Sequence, residues 1–233
     1  MQKKSKVLIG VGAGAVVLGG AALAFGPSVY ANYASSVVEA PPALERVSPG
    51  AGGAGGAVDA ESLSGTWSVA EGSYAGYRVD EVLQGKDVTV TGRTEEVTGS
   101  LMVHGLTLTD ATVSVDVASI TTPEPPRDIY FRDVALEASR FPEATFRLTE
   151  PVAAQAPAPG EPQTFEATGE LTLRGVTQEV TAQLQAVLTE DGGQVGGSIP
   201  ITFEDFGVEA PSLGFVEVED QGSVEFLLNL EQD

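Results

Sequence analysis

Apolar and polar residues alternate along four long runs in the part of the chain after residue 64. The runs cover residues 113–118, 165–173, 180–189 and 224–230. An alternation with a period of two places apolar side chains on one face of a β-strand and polar side chains on the other. The pattern therefore predicts amphipathic strands, each with one buried face.

Short turn signals separate these apolar runs, as expected for strands that follow one another as antiparallel neighbours. They are Gln84-Gly85, His104-Gly105, Arg174-Gly175 and Asp191-Gly192-Gly193. About eight strands fit between such turns. The predicted fold class is all-β, an extended, roughly eight-stranded antiparallel barrel.

The polar faces of the predicted strands are rich in acidic residues and must meet water, so the apolar faces line the interior. Eight strands enclose a space just wide enough for packed side chains or for one slender ligand. Several inward positions carry small residues, which leaves room inside: Ala167, Gly169, Ala182 and Ala186. Bulky neighbours filling that room would give an ordinary packed core, so a filled barrel and a hollow barrel both remain open.

One interruption of the strand pattern lies between Thr121 and Pro142. Pro125 and Pro126 suit the first turn of a helix. Ile129, Val134 and Leu136 would then form a short apolar stripe. The sequence predicts one short helical insert, which ends at Pro142 before the next strand begins.

Residues 7–25 are uncharged and follow Lys3, Lys4 and Lys6. As a helix, this run would span about 28 Å, close to the thickness of a bilayer core. We therefore expect residues 1–26 to be a single-pass transmembrane anchor with cytoplasmic lysines and an extracytoplasmic body. A signal peptide cleaved near residues 29–31, which would release a secreted body, is the alternative.

The segment between the anchor and the strands, residues 27–64, is rich in proline, glycine and alanine. It reads as a linker, and residues 65–233 form the predicted barrel domain. Within the anchor, Gly10 and Gly14 have the GxxxG spacing that pairs some membrane helices, which would give a homodimer.

The composition excludes several functional classes. The chain has 33 acidic and 12 basic residues and a formal net charge of −21, the opposite of a nucleic-acid-binding surface. It has no cysteine and one histidine, His104, so Cys-ligated metal sites, His clusters and thiolate catalysis are excluded. The sequence predicts no metal, no cofactor and no enzymatic activity.

Several motifs, in the same order and at similar spacing, resemble the YceI family of lipocalin-like polyisoprenoid-binding proteins of bacteria. Those of the opening strand are Gly65-Thr66-Trp67 and Tyr77-Arg78-Val79. Those of the insert and the following strand are Arg127-Asp128, Phe131, Phe141-Pro142 and Phe146. Those of the later hairpin and closing region are Gly169, Leu171, Leu173, Gly175-Val176 and Asp205-Phe206-Gly207-Val208. The anchor, the linker and the acidic body look like those of family members from high-GC Gram-positive bacteria.

The resemblance implies an extended antiparallel barrel with an apolar tunnel that binds an amphipathic isoprenoid-type lipid, such as a polyprenyl phosphate or a quinone. The protein would then act as a carrier or a sink for that lipid. A filled barrel that serves as a cell-envelope interaction module without a ligand is the alternative. This chain has Gly72 and Glu81 where many family members carry histidines, which puts any polar or metal role of those positions in doubt.

The candidate ligand-binding residues are mostly apolar or aromatic: Trp67, Tyr77, Val79, Val115, Val117, Arg127, Phe131, Phe141, Phe146, Leu171 and Leu184. Arg127 is the charged member of the set, and its guanidinium could face an anionic headgroup at a tunnel mouth beside the insert. Local pairing with neighbouring carboxylates is the alternative role for Arg127. Ordinary core packing is the alternative for the apolar members.

Overall fold

The computed structural model describes residues 38–44, 59–83, 85–156, 160–189, 192–212 and 216–233. The predicted anchor at residues 7–25 and its GxxxG pairing lie outside these ranges. Among the helices that the structure describes, none is both long enough and apolar enough to cross a membrane.

Eleven strands form one antiparallel sheet in the described part of the chain. They are β1 (Gly65–Val69), β2 (Tyr74–Leu83), β3 (Lys86–Thr94), β4 (Val97–His104), β5 (Thr107–Asp116), β6 (Glu143–Leu148), β7 (Val152–Ala153), β8 (Gln163–Leu173), β9 (Val176–Leu188), β10 (Gly193–Thr202) and β11 (Val216–Gln232). A 3-10 turn, Ala60–Leu63, precedes β1, and two further 3-10 turns cover Val117–Ser119 and Phe203–Phe206.

Eight of these strands close into a ring in the order β1, β4, β5, β6, β8, β9, β10 and β11. The ring closes because β11 pairs with β1, with Trp67 opposite Gln232 and Val69 opposite Leu230. The closed eight-stranded antiparallel barrel predicted from the sequence is confirmed.

Strand β11 is much longer than the seam it forms with β1. Its first part pairs with β2, from Val216 opposite Leu83 to Leu227 opposite Tyr74. Strand β3 then pairs with β2, so the β2–β3 hairpin extends the barrel wall beyond the ring. This extension builds the end of the barrel that the insert covers.

The hairpin between β8 and β9 turns on Arg174 and Gly175. Both residues have positive φ angles, 50° and 74°, as a two-residue type I′ turn requires. A Cβ atom at Gly175 would lie 2.5 Å from the Phe141 ring, so the turn also needs glycine for space. The turn predicted from the sequence is confirmed, and the Phe141 ring packs against it.

The insert contains one short helix, α1 (Pro125–Tyr130), which runs into a wider π-helical turn at Phe131–Ala135. The amide of Leu136 donates to the Phe131 carbonyl oxygen across 2.9 Å, which closes the wider turn. The helix and its proline start are as predicted, but the apolar stripe is not. Leu136 is buried, whereas Ile129 and Val134 are 52% and 55% exposed, because the wider turn changes which positions share a face.

Residues 38–44, which we call the strap, lie across the outer wall of the barrel. The carbonyl oxygens of Glu39 and Ala40 accept hydrogen bonds from Arg78 and Arg93, at 2.6 and 2.8 Å. The Glu39 carboxylate also pairs with Arg93. Farther along, Leu44 is buried and its amide donates to the Gln185 side chain across 3.4 Å. Part of the predicted linker is therefore attached to the barrel.

Candidate functional site

The barrel ring encloses an apolar cavity. Its volume is about 280 Å³. Its walls include Trp67, Leu101, Val115, Phe146, Leu171 and Leu184. The interior of this barrel is hollow.

Small inward residues on β8 and β9 create part of this space. Ala167 and Ala182 lie directly opposite each other, and each is only 2% exposed. Both line the cavity, as does Ala186 on the same face of β9. The room that the sequence predicted from these alanines is present.

Trp67 is held in the cavity wall by a hydrogen bond at its polar edge. Its indole N–H donates to the Leu63 carbonyl oxygen across 3.0 Å, and the side chain is 7% exposed. A buried tryptophan normally finds such a partner for its N–H. The rest of the ring is left to face the cavity.

At the insert end, aromatic and aliphatic side chains fill the barrel. The Tyr77 and Phe131 rings stack with their centroids 4.6 Å apart and 18° between their planes. Val117, Ile120 and Leu136 pack around them in one buried cluster, and Val79 belongs to a neighbouring one. Burial raises the pKa of the Tyr77 hydroxyl well above its usual value, so it stays protonated over the ordinary pH range.

Two charged side chains meet at the same end. Arg127, from α1, reaches Glu81 on the inward face of β2. Glu81 is 3% exposed, so its carboxylate is almost fully removed from water. We call this region, from the Tyr77–Phe131 stack to the Arg127–Glu81 pair, the closed end.

The cavity reaches the surface at the opposite end of the barrel, near the β4–β5 turn and the start of β8. Gln155 and Glu161 line the cavity and are also exposed. Gln163 makes two bonds to the Gln155 backbone, accepting from its amide at 3.3 Å and donating to its carbonyl oxygen at 3.2 Å. Gln194 also lines the cavity and donates to Asn229 across 2.9 Å. We call this region the open end.

A scan against protein-family models finds the YceI-like domain at residues 67–230 of this chain. The chain belongs to the YceI family. The match covers the barrel from β1 to the last residues of β11.

Solved structures of similar fold include a polyisoprenoid binding domain from Saccharophagus degradans implicated in plant cell wall breakdown. It is 21% identical, with 72% of this chain and 98% of that chain covered and a TM-score of 0.58. Burkholderia cenocepacia BcnA is 19% identical, with 65% and 94% covered and a TM-score of 0.49. A Campylobacter jejuni YCEI protein is 19% identical, with 62% and 86% covered and a TM-score of 0.44. At 21% identity, the first of these shows a shared fold. No curated protein sequence matches the chain.

The YceI barrel places nine of the eleven candidate ligand-binding residues in two groups. Five line the cavity: Trp67, Val115, Phe146, Leu171 and Leu184. Four others lie in the buried clusters of the closed end: Tyr77, Val79, Val117 and Phe131. Arg127 bonds to Glu81, and Phe141 lies against Gly175. Contact of any of these residues with a ligand stays a prediction.

The polar residues of the open end were not among the sequence candidates. Gln155 and Glu161 lie outside the strands, where residues rich in proline and alanine give no periodic signal. Gln163 begins the alternating run of β8, in step with the inward residues of that strand. That position was the one signal in the sequence that could have placed it at the cavity. Among the described residues, no group of three or more histidine, aspartate or glutamate side chains could hold a metal ion.

Proposed function

We propose that this YceI-family barrel binds an amphipathic isoprenoid-type lipid, a polyprenyl phosphate or a quinone, with its apolar chain in the cavity. The observation that carries the proposal is the apolar cavity of about 280 Å³ inside a closed barrel. The named polyisoprenoid-binding domain of the same fold supports it. The protein would act as a carrier or a sink for the lipid.

The energetics of transfer explain why such a site needs apolar walls and little more. Burying a methylene group is worth about 0.8 kcal/mol, so a chain of about 20 carbons gains roughly 16 kcal/mol on leaving water. A bilayer offers a similar gain. A carrier therefore has to offer the apolar chain a transfer free energy similar to that of the membrane. A continuous apolar surface such as that around Leu171 and Leu184 does so.

The same proposal includes a location. The uncharged run at residues 7–25, with lysines before it, supports a membrane anchor whose barrel lies outside the cytoplasm. Such a tether would keep the open end within reach of membrane lipids. Release of the barrel by signal cleavage is the alternative arrangement.

Trp67 provides a direct readout of ligand binding, because it is the one tryptophan of the chain and it lines the cavity. The full chain, held in amphipol, would be titrated with geranylgeraniol while Trp67 fluorescence is followed. Lipid extraction and native mass spectrometry of the chain from its native membrane would identify a bound lipid. We expect saturable binding and a co-purifying isoprenoid.

A substitution that fills the cavity provides the matched test. Ala182→Leu adds three carbons to the cavity wall, whereas Thr181→Leu adds apolar bulk at the neighbouring exposed position. We expect Ala182→Leu to weaken geranylgeraniol binding at least tenfold and Thr181→Leu to leave it unchanged. Equal binding by both variants, or no binding by the natural chain, would contradict the proposal and favour an interaction module without a ligand.

A further inference from the structure

We propose that the stacked rings of Tyr77 and Phe131 limit the length of the isoprenoid chain that this barrel accepts. We call the stack the end wall, because a chain that enters the cavity at the open end would stop against it. This inference rests on the proposed function, since it concerns how far the apolar chain of the same ligand reaches. It makes Phe131 a specificity-determining residue.

The inward face of β2 gives the order of the layers along the barrel. Ala75, Tyr77 and Glu81 share this face, because side chains an even number of residues apart on a strand point the same way. Ala75 lines the cavity. Tyr77 follows it, and Glu81 lies about 13 Å farther along the strand. A chain that extends along β2 from the cavity therefore reaches the Tyr77 ring before the charged residues.

Strands β5 and β6 place the same boundary on the other side of the barrel. Val115 and Ala144 are paired across these two strands, and both line the cavity. Ala144 also packs against the buried cluster of the closed end, to which Val117 and Phe131 belong. The cavity therefore ends at the level of Ala144, where the aromatic cluster begins.

The Tyr77 ring is backed directly by the barrel wall. Gly92 lies opposite Tyr77 in the pairing of β2 with β3. A Cβ atom at Gly92 would lie 2.5 Å from Tyr77 Cε1 and 3.1 Å from Ile120 Cγ2, so the ring rests on the β3 backbone. Phe131 covers the ring with the centroids 4.6 Å apart. The Tyr77 ring therefore has no room to move toward β3 when a ligand chain presses on it.

The ion pair beyond the stack makes a longer apolar chain unfavourable there. Glu81 is 3% exposed and bonds to Arg127 through two hydrogen bonds. An isoprenoid chain that displaced the rings would have to separate these two groups, and a buried carboxylate without its guanidinium partner is strongly unfavourable. The end wall thus separates an apolar space from a charged one.

The chain length then depends on which carbons stay out of water. A bilayer or an amphipol already keeps the whole isoprenoid chain away from water, so carbons that fit in the cavity change their free energy little on transfer. Carbons that do not fit remain outside the open end and meet water, and each of them weakens binding. The accepted chain should therefore have an upper length, set by the distance from the open end to the end wall.

This upper length can be measured by offering isoprenoid alcohols of different lengths at once. The full chain, held in amphipol, would be incubated with an equimolar mixture of prenols from farnesol to solanesol, which share one headgroup. Native mass spectrometry would then identify each bound alcohol by its mass. Beyond a definite length, we expect binding to fall about tenfold or more for the next homologue.

Two substitutions move the boundary in opposite directions. Phe131→Ala removes a ring with about as many carbons as an isoprene unit, so the upper length should rise by about one unit. Ala144→Leu adds apolar bulk on the cavity side of the boundary and should lower it. Val134→Ala is the matched control, because it shortens a 55% exposed side chain on the same insert, and it should leave the upper length unchanged.

The outcomes separate this inference from the proposed function. Equal binding of all lengths by the natural chain, or an unchanged upper length in either folded variant, would overturn the end wall and leave lipid binding intact. A shift in Val134→Ala as large as that in Phe131→Ala would overturn it as well. If Phe131→Ala does not fold, Ala144→Leu decides alone, since it acts on the same boundary from inside the cavity. Absence of any bound prenol in the natural chain would overturn the proposed function itself.

Discussion

Arg127 and Glu81 form a two-point ion pair inside the closed end of the barrel. The two guanidinium nitrogens of Arg127, Nη1 and Nη2, lie 2.9 and 3.0 Å from the Oε2 and Oε1 atoms of Glu81. The pair connects the helical insert to strand β2 across 46 positions of sequence. It therefore fixes the insert on the barrel as well as neutralising a buried carboxylate.

Removing the arginine alone should destabilise the fold strongly. Arg127→Ala would leave the Glu81 carboxylate buried without its guanidinium partner, at a cost of about 3 kcal/mol in the free energy of unfolding. The double substitution Glu81→Leu with Arg127→Met should recover most of that loss, since no charge is then buried. Arg132→Ala, which breaks an exposed pair with Asp133, should cost less than about 1 kcal/mol. Urea denaturation measures all three, and equal losses for Arg127→Ala and Arg132→Ala would contradict this account.

Tyr77 should make the stability of the barrel fall at alkaline pH. Burial raises the pKa of its hydroxyl above the ordinary value of 10.0, so the folded state holds its proton where the unfolded chain releases it. The stabilisation is present below about pH 10 and is lost as the pH rises through the folded pKa. At about pH 11 the loss should be about 1.4 kcal/mol. Tyr77→Phe should lose less stability than the natural chain between pH 8 and 11. Identical losses in urea denaturation would refute the role of Tyr77.

The strap can be tested by disulfide formation, because the chain has no cysteine of its own. A Cβ atom at Gly196 would lie 3.6 Å from Leu44 Cγ, which is close to disulfide geometry. The pair Leu44→Cys with Gly196→Cys should oxidise readily, as a mobility shift on a non-reducing gel would report. Leu44→Cys with Thr112→Cys, an exposed position on β5, is the control and should stay reduced. Similar oxidation of both pairs would mean that the strap does not stay on this wall.

Glu137 should stabilise the insert in a way that depends on pH. Its hydrogen bond and ion pair with Arg174 lower the pKa of the Glu137 carboxyl. The contribution is therefore present above about 4.5, the ordinary value, and is lost as the pH falls through the lowered pKa. In urea denaturation, Glu137→Gln should be less stable than the natural chain at pH 7, and the two should converge in acid. A difference between the two chains that stays unchanged from pH 7 into acid would contradict this account.

The strands could be predicted because their signals are local, whereas the residue pattern left a filled and a hollow interior both open. The alternation in residues 165–173 and 180–189 gave β8 and β9, and Arg174-Gly175 gave the turn between them. Small residues in phase with the inward positions, such as Ala167 and Ala182, then indicated room inside. The two-residue alternation and the choice of turn residues depend only on residues that are close in sequence, so both can be identified from one sequence.

The contacts of the arginines could not be predicted because they depend on register between distant strands. From the sequence, Arg127 could bind a headgroup or pair with nearby carboxylates. In the structure it bonds to Glu81, which only the fold of the insert brings near. The strap has the composition of a linker, and it lies on the wall because Arg78 and Arg93 face outward side by side. Their spacing is set by the pairing of β2 with β3.

The strap also determines where a pull on the amino-terminal side of the protein would act. The seam that closes the ring joins β1 to β11 through three residue pairs, and β1 is the first strand of the barrel. Without the strap, tension on the preceding chain would act directly on this short seam. With it, the hydrogen bonds of Arg78 and Arg93 to the strap bear the load first, on a part of the wall formed by long strands. A pull from that side would therefore reach the flank of the barrel before it reached the short β1–β11 seam.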